Sequence, residues 1–251
     1  MSYEFRVACE LHSLDRLHAA LAAGLDARAP IEGKGAITWL TEMYTRSDRF
    51  AGCVRLLLDH GAEPDDPLTV PVLLNDPHAI AAMASHTRDY TRHRVTMASA
   101  FTPLAGVSLL HVAAEFGHVE AARALLALDA DVNDRAAVDA DGLGGQTPLF
   151  HTVNAHADRS LPVTRLLLEA GAAVDARVAG LVWGRGCEWE TALFDLTPLA
   201  YAQLGTLPQL HRDERQIADT VRLLLAAAGR AVPPLPNVPN RYLRERDTST
   251  R

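Results

Sequence analysis

The sequence predicts an all-α solenoid of about six helix-turn-helix units carrying two long hairpin or loop insertions. Three observations predict it: a leucine-rich block that recurs, a hydroxyl-proline cap that precedes it, and glycines that close it. The block Val54 to Ala62 (VRLLLDHGA) returns as Val163 to Ala172 (VTRLLLEAGA) and as Val221 to Gly229 (VRLLLAAAG), with looser copies at Leu14 to Leu25 and Ala121 to Ala130. The last leucines stand at 21, 58, 126, 168 and 225, so the spacings are 37, 68, 42 and 57, and 68 is twice 34. A period near 33 residues with insertions follows, and a degenerate copy is expected between 67 and 105.

Each block reads as a helix with one apolar stripe. Val163, Leu166, Leu167 and Ala170 fall at i, i+3, i+4 and i+7, as do Val221, Leu224, Leu225 and Ala228. Gly61 and Gly171 follow where the last turn needs a residue tolerant of positive φ. Ahead of two blocks, Thr147-Pro148-Leu149 and Thr197-Pro198-Leu199 place a hydroxyl at the cap and proline at the first helical position. Ser108 takes the cap role before Leu109-Leu110-His111, and Gly117 ends that first helix. The units run near 3–28, 35–66, 67–104 (degenerate), 105–138, 145–177 and 196–232. A Pro-rich, then polar tail, 233–251, cannot continue the stack.

Composition narrows the function classes. Of the 251 residues 48% are hydrophobic and 22% charged, which excludes disorder throughout. Net charge is −7, opposite in sign to the basic surplus of chains that bind nucleic acid through phosphates. No nucleic-acid partner is expected. Three scattered cysteines fit a reducing, cytoplasmic protein, and no apolar run reaches the length of a membrane span, so no membrane association is expected. Lys34 is the only lysine against 23 arginines, a codon signature that points to a GC-rich, bacterial source.

The stretch Ser108-Leu-Leu-His-Val-Ala-Ala-Glu-Phe-Gly-His-Val-Glu120, continuing to Asp131-Val132-Asn133, resembles the ankyrin-repeat consensus across one full unit. Gly145-Gln-Thr-Pro-Leu149 with Gly171-Ala-Ala-Val-Asp175 is similar to a second. Asp129 stands where the family has glycine, and Phe150 and Ala200 replace the expected histidine. Residues 86–104 and 177–195 occupy the place of the family's short hairpin and are far too long for one; extended fingers or wrapping loops are expected. The resemblance implies hydrogen-bonding structural roles for His111 and His118, and a non-enzymatic protein-binding module working through its concave face and hairpins.

By matching positions, the resemblance implies partner contacts at Tyr44 and Thr45, Glu115 and Phe116, and Asn154 and Ala155. Aromatic and arginine side chains dominate interface energetics. That adds Trp183, Arg185 and Trp189 in one insertion, where the rings could equally fold back as a minicore, and Arg92, Arg94 and Phe101 in the other. An acidic array favours a partner with a basic surface, as adaptor or inhibitor. No catalytic motif, no metal-ligand spacing and no cofactor loop is present. Gly142-Leu-Gly-Gly145 reads as a hairpin tip. The alternative left open is an enzyme or small-ligand protein using the 177–195 loop with Cys187 or a histidine.

Overall fold

The computed structural model describes residues 2–100, 102–153, 159–183, 191–204 and 214–230. Helices pack in pairs: α1 (Ser2–Glu10) with α2 (Leu14–Ala22), α3 (Ala36–Glu42) with α4 (Phe50–Asp59), and the single-turn α5 (Val70–Leu73) with α6 (Pro77–His86). Then come α7 (Leu109–Phe116) with α8 (Val119–Ala127), α9 (Pro148–Thr152) with α10 (Leu161–Glu169), and α11 (Pro198–Leu204) with α12 (Glu214–Ala227). The recurring leucine blocks are α2, α4, α8, α10 and α12. Val163 and Leu167, like Val221, Leu224 and Leu225, are buried on one stripe. Ala170 and Ala228, expected on the same stripe, are exposed because each lies past the last helical residue.

Local chemistry sets the helix ends. Thr147 is the extended residue before α9, with Pro148 in its first turn. Asp76 caps α6 by accepting from the amides of His78 and Ala79, both at 3.0 Å. Gly61, Gly117 and Gly171 take positive φ at the ends of α4, α7 and α10, and Asp129 does the same at φ +60° where glycine is usual.

The all-α expectation is overturned. Among the described residues helices make up about 51% and strands 12%, in two small antiparallel sheets, so a uniform all-α solenoid does not describe it. Both insertions contain the strands. Strand β1 (Arg94–Met97) pairs with β2 (Leu104–Ser108), and β3 (Val178–Trp183) pairs with β4 (Thr191–Leu196). The physical reason is backbone hydrogen bonding: arms rich in Val, Thr and Leu satisfy each other's N–H and C=O groups. A third hairpin, bridged Val138 to Gly144, lies between the sheets. Its Ala137 amide donates to Ala105 O at 3.0 Å, and its Gly144 amide donates to Gly180 O at 2.7 Å. The three hairpins therefore join edge to edge, and Gly142–Gly145 is a hairpin tip as the sequence suggested.

One hydrophobic cluster runs from Phe5 to Leu225 through all six helix pairs. Among the second helices, α2 packs on α4, α6 on α8, α8 on α10, and α10 on α12. The regular apposition thins between α3/α4 and α5/α6, where α5 is only four residues long. There, the segment joining α3 to α4 reaches α7 instead. Asparagines tie neighbouring pairs elsewhere: Asn133 donates to Gly171 O at 3.2 Å and accepts from the Ala173 amide at 2.8 Å. Asn133→Ala removes both bonds and is expected to cost about 1–2 kcal/mol, read as a fall in urea midpoint at unchanged m-value.

Candidate functional site

The residues that the sequence singled out do not all reach one surface. Tyr44, in the segment after α3, is 59% exposed, and Glu10 accepts a hydrogen bond from its hydroxyl, which raises the tyrosine pKa. Arg92 is exposed. Arg94 is spent on the third hairpin, donating to Asp134 Oδ1 at 2.7 Å and to Arg135 O at 3.0 Å. Glu115 and Phe116 are interior residues at the end of α7. Phe101, Asn154, Arg185, Trp189 and Cys187 lie outside the described residues, as does the side chain of Trp183 at the end of β3.

Glu115 is the hub of a buried polar network. Its Oε1 accepts from Arg46 Nη2 at 3.1 Å and from Ser99 Oγ at 2.9 Å, and its Oε2 accepts from His151 Nδ1 at 3.0 Å. Arg46 also donates through Nη1 to the carbonyls of Met43 and Thr45, and its guanidinium carbon lies 4.6 Å from the centre of the Phe116 ring. Phe116 stacks on Phe50 at 4.7 Å. Both Arg46 and Glu115 side chains are about 5% exposed. Sequence reasoning missed Arg46, Ser99 and His151, because Arg46 and Glu115 are 69 residues apart and no local spacing joins them.

Desolvation pushes the Glu115 pKa up, but the His151 hydrogen bond, the Arg46 charge and the Ser99 hydroxyl together hold it below the ordinary value. It is a carboxylate. Burial lowers the Arg46 pKa, opposed by the attraction of Glu115, and the guanidinium remains charged. Such a pair is structurally costly to break.

Histidines surround this pair. His111 Nδ1 accepts from the Ser108 amide at 3.2 Å, so its proton sits on Nε2 and donates to Gln146 O at 3.0 Å. Burial, then the neighbouring His151, holds its pKa well below normal, which keeps that tautomer neutral. The structural hydrogen-bonding role implied for His111 is what the geometry gives. His118 differs: its Nε2 is buried with no hydrogen-bond partner, and its ring packs on Phe50 and Phe116. His12 joins Ser47 Oγ through Nδ1 at 2.8 Å.

The arrangement orients and seals; it does not expose a reactive group. Glu115 has three donors on two oxygens, and His151 is inaccessible to solvent. Cys9 and Cys53 are buried, and desolvation raises both thiol pKa values, that of Cys53 to about 11, so neither is a ready nucleophile. Among the described residues no group of three or more His, Cys, Asp or Glu side chains is set to hold a metal ion, and no helix is long and apolar enough to cross a membrane.

Comparison with curated proteins finds no significant match. The ankyrin-repeat family model matches residues 105–137, the stretch running from within β2 through α7 and α8 into the third hairpin. The unit that carries Ser108, His111 and Glu115 is thus similar to an ankyrin repeat.

Proposed function

We propose that the chain is a non-enzymatic protein-binding module acting in the cytoplasm as an adaptor or inhibitor. The observation that carries this reading is the ankyrin repeat at 105–137, a motif that generally mediates protein partner binding. Supporting it, large apolar side chains stand exposed beside the helices and on a hairpin: Tyr44 and Leu11 at one end, Val138 and Phe194 on the hairpins. Contact is assigned to Tyr44, Arg92, Asn154 and the inserted segments holding Phe101, Trp183, Arg185 and Trp189. A net charge of −7 favours a partner with a basic surface, through faster encounter at low salt.

The test is affinity capture with the full chain, followed by measurement of the purified partner's affinity for Tyr44→Ala and for Trp183→Ala with Trp189→Ala. Loss of a hot-spot aromatic costs about 2 kcal/mol or more, roughly thirtyfold in Kd. The expected result is that loss at an unchanged melting temperature. Variants that melt lower while keeping full affinity would show that these rings serve the fold, and the proposed contact surface would be abandoned.

A further inference from the structure

We propose that residues 43–50 form an acid-released clamp: protonation of His12 and His118 frees this segment from α7, uncovering Glu115 and Phe116 while the remaining helices stay folded. The segment bridges parts of the chain far apart in sequence. Arg46 pairs with Glu115, Ser47 with His12, Asp48 with Arg159, and Arg49 donates to Leu11 O at 2.9 Å. Phe50 lies 5.3 Å from the His12 ring, 5.7 Å from His118 and 4.7 Å from Phe116. Both histidines thus sit under the clamp, against the same ring, close to a buried cation.

What faces each histidine makes a second positive charge costly. His12 faces Arg46 and Arg49 of the clamp and Arg159 ahead of α10; Asp48, in an ion pair with Arg159, has a side chain 99% exposed and opposes them weakly. His118 faces Arg46, whose only buried anion, Glu115, is already engaged by Arg46, Ser99 and His151. The nearest further acid is the half-exposed Glu10 at the end of α1, which is engaged by Tyr44 and Thr45 of the clamp; Asp15 on α2, Asp59 on α4, Glu120 on α8 and Glu169 on α10 are exposed. Arg16, Arg55 and Arg165 are likewise exposed, as are His78 and His86 on α6. The Nε2 atoms of His12 and His118 are both buried without an acceptor, so a proton there has nothing to bond until water enters.

The direction follows from linkage. Desolvation, then the arginines, pulls both histidines down to about 4 in the closed state, against 6.5 when free. The opened segment therefore takes up protons below pH 6.5 while the closed one does so only near pH 4, and acid favours opening between these limits. Going from pH 7.5 to pH 5, the opening constant rises about thirtyfold for each histidine released.

The experiment is hydrogen exchange with mass spectrometry on the full chain at pH 7.5 and 5.0, with rates corrected for intrinsic exchange. Peptides over 43–50 and 113–118 are expected to lose protection by thirtyfold or more, while α10 keeps its own. Unchanged protection of 43–50 at pH 5, or equal loss in every helix, overturns the proposal. His118→Phe keeps a ring against Phe50 without a titrating nitrogen, and the acid response should shrink by about thirtyfold. His12→Asn serves the same purpose if that variant does not fold; a full-size response in either overturns the proposal.

Discussion

Glu115→Ala is expected to destabilise the protein by about 3–5 kcal/mol, the largest effect of any single change outside the apolar core. The carboxylate is the ion-pair partner of Arg46, a guanidinium about 5% exposed, and it also receives Ser99 and His151. Its removal leaves a buried cation without its ion-pair partner and two donors without an acceptor. Chemical denaturation followed by circular dichroism measures the loss. Replacing both partners, Arg46→Met with Glu115→Leu, should recover most of it, because an apolar pair leaves nothing unsatisfied. A loss below about 1 kcal/mol for the single variant would mean that solvent screens the pair, contrary to its burial.

Gly144→Ala is expected to cost about 2–5 kcal/mol. Gly144 has φ +118°, a conformation that an L side chain rarely adopts, and a Cβ there would stand 2.3 Å from Ala137 O. Backbone has to move, and the Gly144 amide that donates to Gly180 O moves with it. The third hairpin would then part from β3, so hydrogen exchange should quicken in residues 178–183 before it does in α8. Gly142→Ala is the matched control: φ is +79° there but nothing lies within 4 Å, so only the backbone strain of about 1–2 kcal/mol remains. Equal losses in the two variants would show that close approach of the hairpins contributes nothing.

Much of the helical layer was legible in the sequence because its determinants are local. Thr147-Pro148, Gly61, Gly117 and Gly171 mark helix ends through the conformation of single residues, and the leucine stripes mark helix faces through neighbours three and four positions away. The inserted strands were not legible as strands. Val95 pairs with Val107 and Val178 with Leu196, and pairing of that kind is a property of two segments together, which a search for helical periodicity passes over. The same holds for the candidate site. Glu115 and Phe116 were expected at a contact surface by position alone. They are interior because α5 is one turn long, about 6 Å, and does not screen the end of α7 from the segment carrying Arg46.

The sequence by itself determined the recurring leucine-striped helices, where they stop, and the likeness to an ankyrin repeat over 105–137. Only the tertiary structure decided that three hairpins join through Ala105, Ala137, Gly144 and Gly180, and that Arg46, Glu115 and His151 share one buried charge network. Helices are written in interactions four residues long, whereas a strand edge or a buried ion pair exists only once folding has brought its two halves together and removed the water between them.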